Sequence, residues 1–203
     1  MITQREFFDS MAEKWDIICK HDTDKIKYIL NLLNIESGAK ILDVGTGTGI
    51  LIPFLAEQAG KKGEIKAIDI SDKMLEIAQR KYKYDNVSFI CGDVLESNLQ
   101  HGYFDFVICY SMFPHFSEKQ LAIKIIAKYL KKGGQFAICH SQSREAINNL
   151  HKNTSEAVSE DNLPQMHIIK EYFKNSDLET IVEMDNEEMF VIVAKKVIRD
   201  GSF

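Results

Sequence analysis

Between residues 40 and 140, short apolar runs alternate with stretches of helical periodicity, and this alternation restricts the fold more than any other feature. KILDV (Lys40 to Val44), EIKAIDI (Glu64 to Ile70), NVSFICGD, FDFVICYS and QFAICHS are near-continuous apolar runs. Strands of that kind belong to a parallel sheet covered by helices on both faces, not to a sheet with one wet face. Between them, ILIPFLAEQAG, DKMLEIAQRKY and EKQLAIKIIAKYL carry helical spacing, the first closing at Gly60 and the last at Gly133-Gly134. The pattern predicts an α/β fold: a doubly wound, Rossmann-like, mostly parallel seven-stranded sheet. LETIVEM and MFVIVAKK, separated by DNEE, add a C-terminal antiparallel hairpin, and the N-terminus is helical. One domain spans 1–203, with 1–36 as a helical lid, 37–140 as the cofactor-binding core, and 141–203 as acceptor-side helices plus the hairpin.

In such folds ligands sit beyond the carboxyl ends of the strands. The first strand ends in DVGTGTG, which puts Gly45, Gly47 and Gly49 at alternate positions with Thr46 between them. A dinucleotide fingerprint places its third glycine one residue later, where this chain has Ile50, and a P-loop ends in Gly-Lys-Ser/Thr, which is absent. Asp43 would repel a phosphate and favour a ligand carrying an ammonium and a sulfonium. Asp69, ending the second strand, suits a ribose diol. Asp93, after the third, suits an exocyclic adenine amine. Ile70, Met74 and Val94 supply apolar walls, and Tyr110 ends the fourth strand at the same edge. These features point to S-adenosylmethionine, with S-adenosylhomocysteine as product.

The charge balance narrows the partners. A net charge of −5 and no Lys/Arg run beyond two residues exclude an obvious nucleic-acid face. No apolar run approaches the ~20 residues of a membrane span. Cys19, Cys91, Cys109 and Cys139 form no CxxC pair, so a reducing, cytoplasmic setting is expected. Oligomeric state is not encoded.

With ILDVGTGTG, AIDIS, ICGDV, FDFVICYSMFPHF and KYLKKGGQF in order, residues 40 to 140 resemble the class I S-adenosylmethionine-dependent methyltransferases. FFDSMAEKWD resembles the opening of the small-molecule branch that includes ubiquinone and menaquinone methyltransferases. By that resemblance Asp43 and the glycine loop hold the methionine part, Asp69 the ribose and Asp93 the adenine. The stretch after the fourth strand, CYSMFPH, lacks the Asn/Asp/Ser-Pro-Pro-aromatic motif of nucleic-acid amino methyltransferases, so a small-molecule acceptor is expected ahead of nucleic acid or protein.

A proton acceptor must lie at the cofactor edge. His115 and His140 both follow strand ends there. A helix starting near Ser143 sets Arg144, Asn148 and His151 on one face, with Ile147 and Leu150 toward the packed side. That stripe is either an acceptor-pocket wall or the solvated face of a surface helix. His115, His140 and His151 (or His167 in place of one) are also a candidate set for a divalent metal, without a recognised ligand spacing. Phe7, Met11 and Trp15 fall at four-residue steps, as in a lid or in ordinary packing, and the polar stretch 152–163 suits a flap. Three alternatives stand beside the small-molecule methyltransferase: a non-catalytic S-adenosylmethionine-binding or metal-handling protein, an NAD-linked oxidoreductase, which Ile50 disfavours, and, last, a protein or nucleic-acid methyltransferase.

Overall fold

The computed structural model describes residues 2–197. Seven strands form one sheet: β1 (Lys40–Val44), β2 (Glu64–Asp69), β3 (Val87–Cys91), β4 (Phe104–Tyr110), β5 (Leu130–His140), β6 (Leu178–Asp185) and β7 (Phe190–Lys196). Their order is β3-β2-β1-β4-β5-β7-β6. The first five are mutually parallel, and β7 runs antiparallel between β5 and β6. The expected terminal hairpin is therefore present, with its second strand against β5. Chain direction along the sheet reverses between β1 and β4, and a crevice opens there beyond their carboxyl ends.

Apolar residues on both faces of each central strand explain the continuous runs. On one face Leu42, Val107, Phe136, Ile138 and Ile192 meet Ile123 and Ile126 of α6 (Lys119–Tyr129), Ile147 of α7 (Arg144–Lys152) and Phe173 of α8 (Met166–Lys174). On the other, Ile41, Ile65, Ile108, Val191 and Val193 meet Leu55 of α4 (Ile52–Ala59) and Ile26, Ile29 and Leu30 of α3 (Thr23–Asn31). These α3 residues are at most 1% exposed, so that face of α3 belongs to the core, and Phe8, Trp15 and His21 of the segment before it line the crevice. That segment contains α1 (Gln4–Met11), a 3-10 turn (Ala12–Lys14) and α2 (Trp15–Ile18). The break after Met11 means that Phe7, Met11 and Trp15 do not form one continuous helical stripe.

α5 (Asp72–Lys81) is capped by Ser71, whose side chain accepts from the Met74 N–H, and α7 is capped by Ser143. α6 stops at Tyr129, four residues before the expected glycine pair. Gly133 and Gly134 instead lie inside the long β5, three residues beyond its start at Leu130. A Cβ on Gly134 would lie 3.0 Å from the Phe104 carbonyl oxygen, so Gly134 serves close strand approach beside the register shift in β4, while Gly133 takes left-handed backbone at φ 77°.

Candidate cofactor and acceptor site

The turn after β1 is built around backbone that only glycine adopts easily. Gly45 has φ 67°, and a Cβ there would come within 2.7 Å of the Met112 side chain. The N–H groups of Gly45 and Thr46 donate to the Ile68 carbonyl at 2.8 and 3.2 Å, tying the turn to β2. Beneath it, Asp43 is 1% exposed and accepts from Thr46 Oγ1 at 2.7 Å. Burial pushes its carboxyl up to about 7; the Thr46 hydroxyl opposes the shift and the charge of Asp69 adds to it. Asp69 takes the Gly47 N–H on Oδ2 at 2.7 Å and the Ser71 N–H on Oδ1 at 2.9 Å. Its pKa is also raised by burial, against those two hydrogen bonds.

A cavity of about 680 Å³, its open mouth included, extends from this turn. Its floor is Gly45 to Thr48 and Asp69, and Ile50, Ile70 and Met74 form an apolar side. Tyr110, Ser111, Met112 and His115 come from the end of β4 and the following turn, and Phe8, Trp15 and His21 come from the N-terminal segment. Of the sequence-predicted cofactor residues, the cavity thus gathers Gly45, Thr46, Gly47, Asp69, Ile70, Met74 and Tyr110. Asp43 lies just below, and Gly49 packs against Tyr82 and Ala78. Asp93 and Val94 are not in the lining. Asp93 is exposed and caps a turn through the Leu95 N–H at 2.8 Å, and Val94 is core.

The N-terminal segment is fastened over the crevice by side chains of the cofactor edge itself. Ser71 Oγ donates to Asp9 at 2.5 Å, and Thr48 Oγ1 donates to Asp16 at 2.6 Å. Lys81 pairs with Asp16 at 2.7 Å. Deeper in, His21 Nδ1 lies 3.1 Å from the Tyr110 hydroxyl, which donates to Ser141 Oγ at 2.8 Å. Burial pushes the Tyr110 phenol up to about 12. Ser111, with φ 54°, is a non-glycine residue in left-handed backbone at the cavity wall, a placement no residue-level signal announces.

The histidines separate. His115 ends the 3-10 turn Phe113–His115, lines the cavity, and sets Nδ1 2.6 Å from Asp161 Oδ2. His151 sits beside it, ring centroids 5.0 Å apart, with Nδ1 3.0 Å from the Asp161 carbonyl oxygen. His140 is 2% exposed, outside the cavity lining, and its Nε2 has no hydrogen-bond partner. Burial drops its pKa to about 3, with His115 and His151 adding to the effect, so it is neutral at pH 7. His167 is exposed on α8. Among the described residues no group of three or more His, Cys, Asp or Glu side chains is arranged to hold a metal ion.

The polar stripe of α7 does neither of the two things expected of it. Arg144 pairs with Asp185 at 3.3 Å. Asn148 makes two hydrogen bonds to the Leu163 backbone, and His151 takes Asp161, so the stripe straps segment 152–163 onto α7. Val158 and Leu163 bury themselves in that strap, while Leu150, expected to pack, is 55% exposed.

A glycine turn at the switch point, two buried carboxylates, apolar walls and aromatic side chains thus meet at one cavity of an α/β domain. The chain belongs to the methyltransferase-domain family, whose model, described as "Methyltransferase domain", matches residues 35–187. It is 34% identical over 118 residues to a demethylmenaquinone methyltransferase of Bacillus velezensis, covering 57% of this chain and 50% of the relative. It is 32% identical over 130 residues to a malonyl-[acyl-carrier protein] O-methyltransferase of Priestia megaterium, covering 63% and 47%. The chain thus spans about half the length of these curated relatives. A solved complex of the Haloferax volcanii Trm112 methyltransferase activator with a methyltransferase superposes with TM-score 0.84 at 20% identity, covering 98% of this chain and 99% of that one. That likeness concerns the fold.

Proposed function

We propose that the protein is an S-adenosylmethionine-dependent methyltransferase acting on a small-molecule acceptor in the cytoplasm. The observation that carries this reading is the pair of buried carboxylates, Asp43 and Asp69, under a glycine turn whose cavity lining contains no lysine or arginine among the described residues. A phosphate would find no compensating cation there, whereas a cationic amino-acid tail and a ribose diol would meet what they need. The residues therefore fit the cofactor that the family implies. When bound, it supplies a methyl group on positively charged sulfur.

Asp69, whose oxygens keep lone pairs beyond the two N–H groups they accept, would hold the ribose hydroxyls. Asp43 would be drawn into its ionised form beside a cation. Ile70 and Met74 would face the adenine. Phe8 and Trp15, carried on the N-terminal segment, exclude water and act as a lid. Such transfer is an in-line displacement that needs the reacting atoms about 3–3.5 Å apart, so positioning matters most. His115, at the cavity wall, would accept a proton from an O–H, N–H or C–H acceptor. The enclosed aromatic wall and the acidic net charge favour a small molecule over nucleic acid, and the quinone and acyl relatives support that class.

The test has two arms. Calorimetric titration with S-adenosylhomocysteine should show binding that Asp69→Ala weakens. Methyl-labelled S-adenosylmethionine, incubated with protein and a deproteinised small-molecule extract, should place label in a small organic product. Label entering only macromolecules, or none leaving the donor despite tight binding, would sink the proposal.

A further inference from the structure

We propose that Asp161 and Gln4 are positioning residues that assemble His115 as the proton acceptor only when the N-terminal lid is down. This rests on the methyl-transfer reading and names how its acid–base chemistry is regulated. His115 and Asp161 have side chains 15% and 14% exposed, and they join at 2.6 Å across a separation of 46 residues. The Gln4 amide reaches both: its Nε2 lies 3.0 and 3.2 Å from the two Asp161 carboxylate oxygens and 3.1 Å from the His115 carbonyl oxygen. Three separate segments thus meet at one carboxylate: the lid helix α1, the turn after β4, and the strap 152–163. His151 fixes the fourth side by bonding the Asp161 carbonyl.

Chemistry decides what this arrangement does. A carboxylate and a carbonyl oxygen only accept, so His115 and His151 both carry their proton on Nδ1. In the neutral ring, Nε2 of His115 is then the unprotonated nitrogen, left for the cavity that His115 lines. Fixing the tautomer in this way is what an orienting carboxylate does for a histidine base, and it stabilises the imidazolium that forms later. In the step itself, the acceptor's bond to the methyl carbon forms as its proton passes to His115 Nε2. The methyl–sulfur bond breaks with its electron pair left on sulfur. Asp161 keeps its own charge throughout. The T-shaped contact of the Phe8 and His115 rings, at a centroid distance of 5.1 Å, brings a second lid residue to the same group. If α1 lifts, Gln4 and Phe8 leave together, and Asp161 loses the donor that aims it.

The dyad can be read without knowing the acceptor. Protein with ¹⁵N-labelled histidine, saturated with S-adenosylhomocysteine, is examined by long-range ¹H–¹⁵N correlation, with His115→Gln identifying the His115 signals. Wild type should show His115 protonated on Nδ1. Asp161→Asn should move it to the Nε2–H form, since the amide no longer supplies an anion to Nδ1–H, and Gln4→Leu should populate that same form in part. Unchanged circular dichroism and S-adenosylhomocysteine affinity in Asp161→Asn would show that folding is intact. A His115 tautomer identical in wild type and Asp161→Asn would overturn the dyad. A shift in Asp161→Asn with none in Gln4→Leu would overturn its coupling to the lid. Neither result depends on label transfer, so a failed methyl-transfer assay would count against the methyl-transfer reading alone and leave the dyad to be judged by its own spectra.

Discussion

Replacing Asp43 by asparagine should make the ligand-free protein more stable at high pH, against the usual cost of altering a buried residue. The asparagine side chain would still offer an oxygen to Thr46 Oγ1, but carries no charge. Burial raises the folded-state pKa of Asp43 to about 7 from 3.8. Between those values the folded chain holds a proton that the unfolded chain has released, so stability falls as pH climbs through the window, and the whole penalty applies above it. At about 1.4 kcal/mol per unit the penalty is roughly 4 kcal/mol at pH 8, of which about 3 kcal/mol accumulates between pH 5 and pH 8. Burial also depresses the pKa of His21, His140 and His151, but these titrate in both proteins and cancel in the difference. Urea denaturation at pH 5 and pH 8 measures the effect: Asp43→Asn should gain about 3 kcal/mol on wild type across that interval. Saturating S-adenosylhomocysteine should erase the advantage, because its ammonium compensates the carboxylate that the variant lacks. Stability profiles that run parallel from pH 5 to pH 8 would refute the assignment of a costly, ligand-compensated charge to Asp43.

Asp69→Ala should weaken S-adenosylhomocysteine binding by roughly ten- to a hundredfold, the scale of hydrogen bonds to a charged group, as read by calorimetry. Gly45→Ala forces a Cβ into left-handed backbone against Met112, and should cost about 1–3 kcal/mol in urea denaturation while also lowering cofactor affinity. Phe136→Ala, at a fully buried site facing Phe173, should cost about 3–5 kcal/mol, and a loss under about 1 kcal/mol would contradict the core described above. Lys81→Ala should raise the rate of proteolysis within residues 3–21, because it removes the cation paired with Asp16 at 2.7 Å; cleavage equal to wild type would remove Lys81 from the forces that hold the N-terminal segment in place.

What could be read in advance was whatever depends on local spacing. The strand ends Asp43 and Asp69, the alternate glycines and the continuous apolar strands each reflect interactions within a few residues, or a sheet covered on both sides. Asp93 differs from Asp69: the same reasoning places both at strand ends, but Asp93 is exposed beside the cavity and one of its carboxylate oxygens accepts from the Leu95 N–H. The Gly133-Gly134 pair reads as a helix stop because glycine has two uses, and at Gly134 only the neighbouring strand, with the Phe104 and Asp105 carbonyls 3.0 and 3.1 Å from a would-be Cβ, selects between them. Asp161 was hidden for a different reason. It lies in a stretch without periodicity, and its partners are 46 and 157 residues away. Polar residues on α7 signalled a function for that face, but which of them touch the strap depends on where Leu163 is buried.

The position of β7 has a consequence for how the chain is made. A ribosome delivers β5 and β6 before β7, yet β7 lies between them and pairs with both. Until residues 190–196 have cleared the exit tunnel, β5 offers a bare edge built from Phe136, Ala137, Ile138 and Cys139, and β6 has no strand to pair with. Emergence of this one short segment therefore closes the sheet in a single event. A nascent chain stalled shortly before Phe190 would expose the apolar strand most apt to pair with another copy of itself, so chaperone demand should peak just before β7 emerges and fall abruptly once Lys196 is clear.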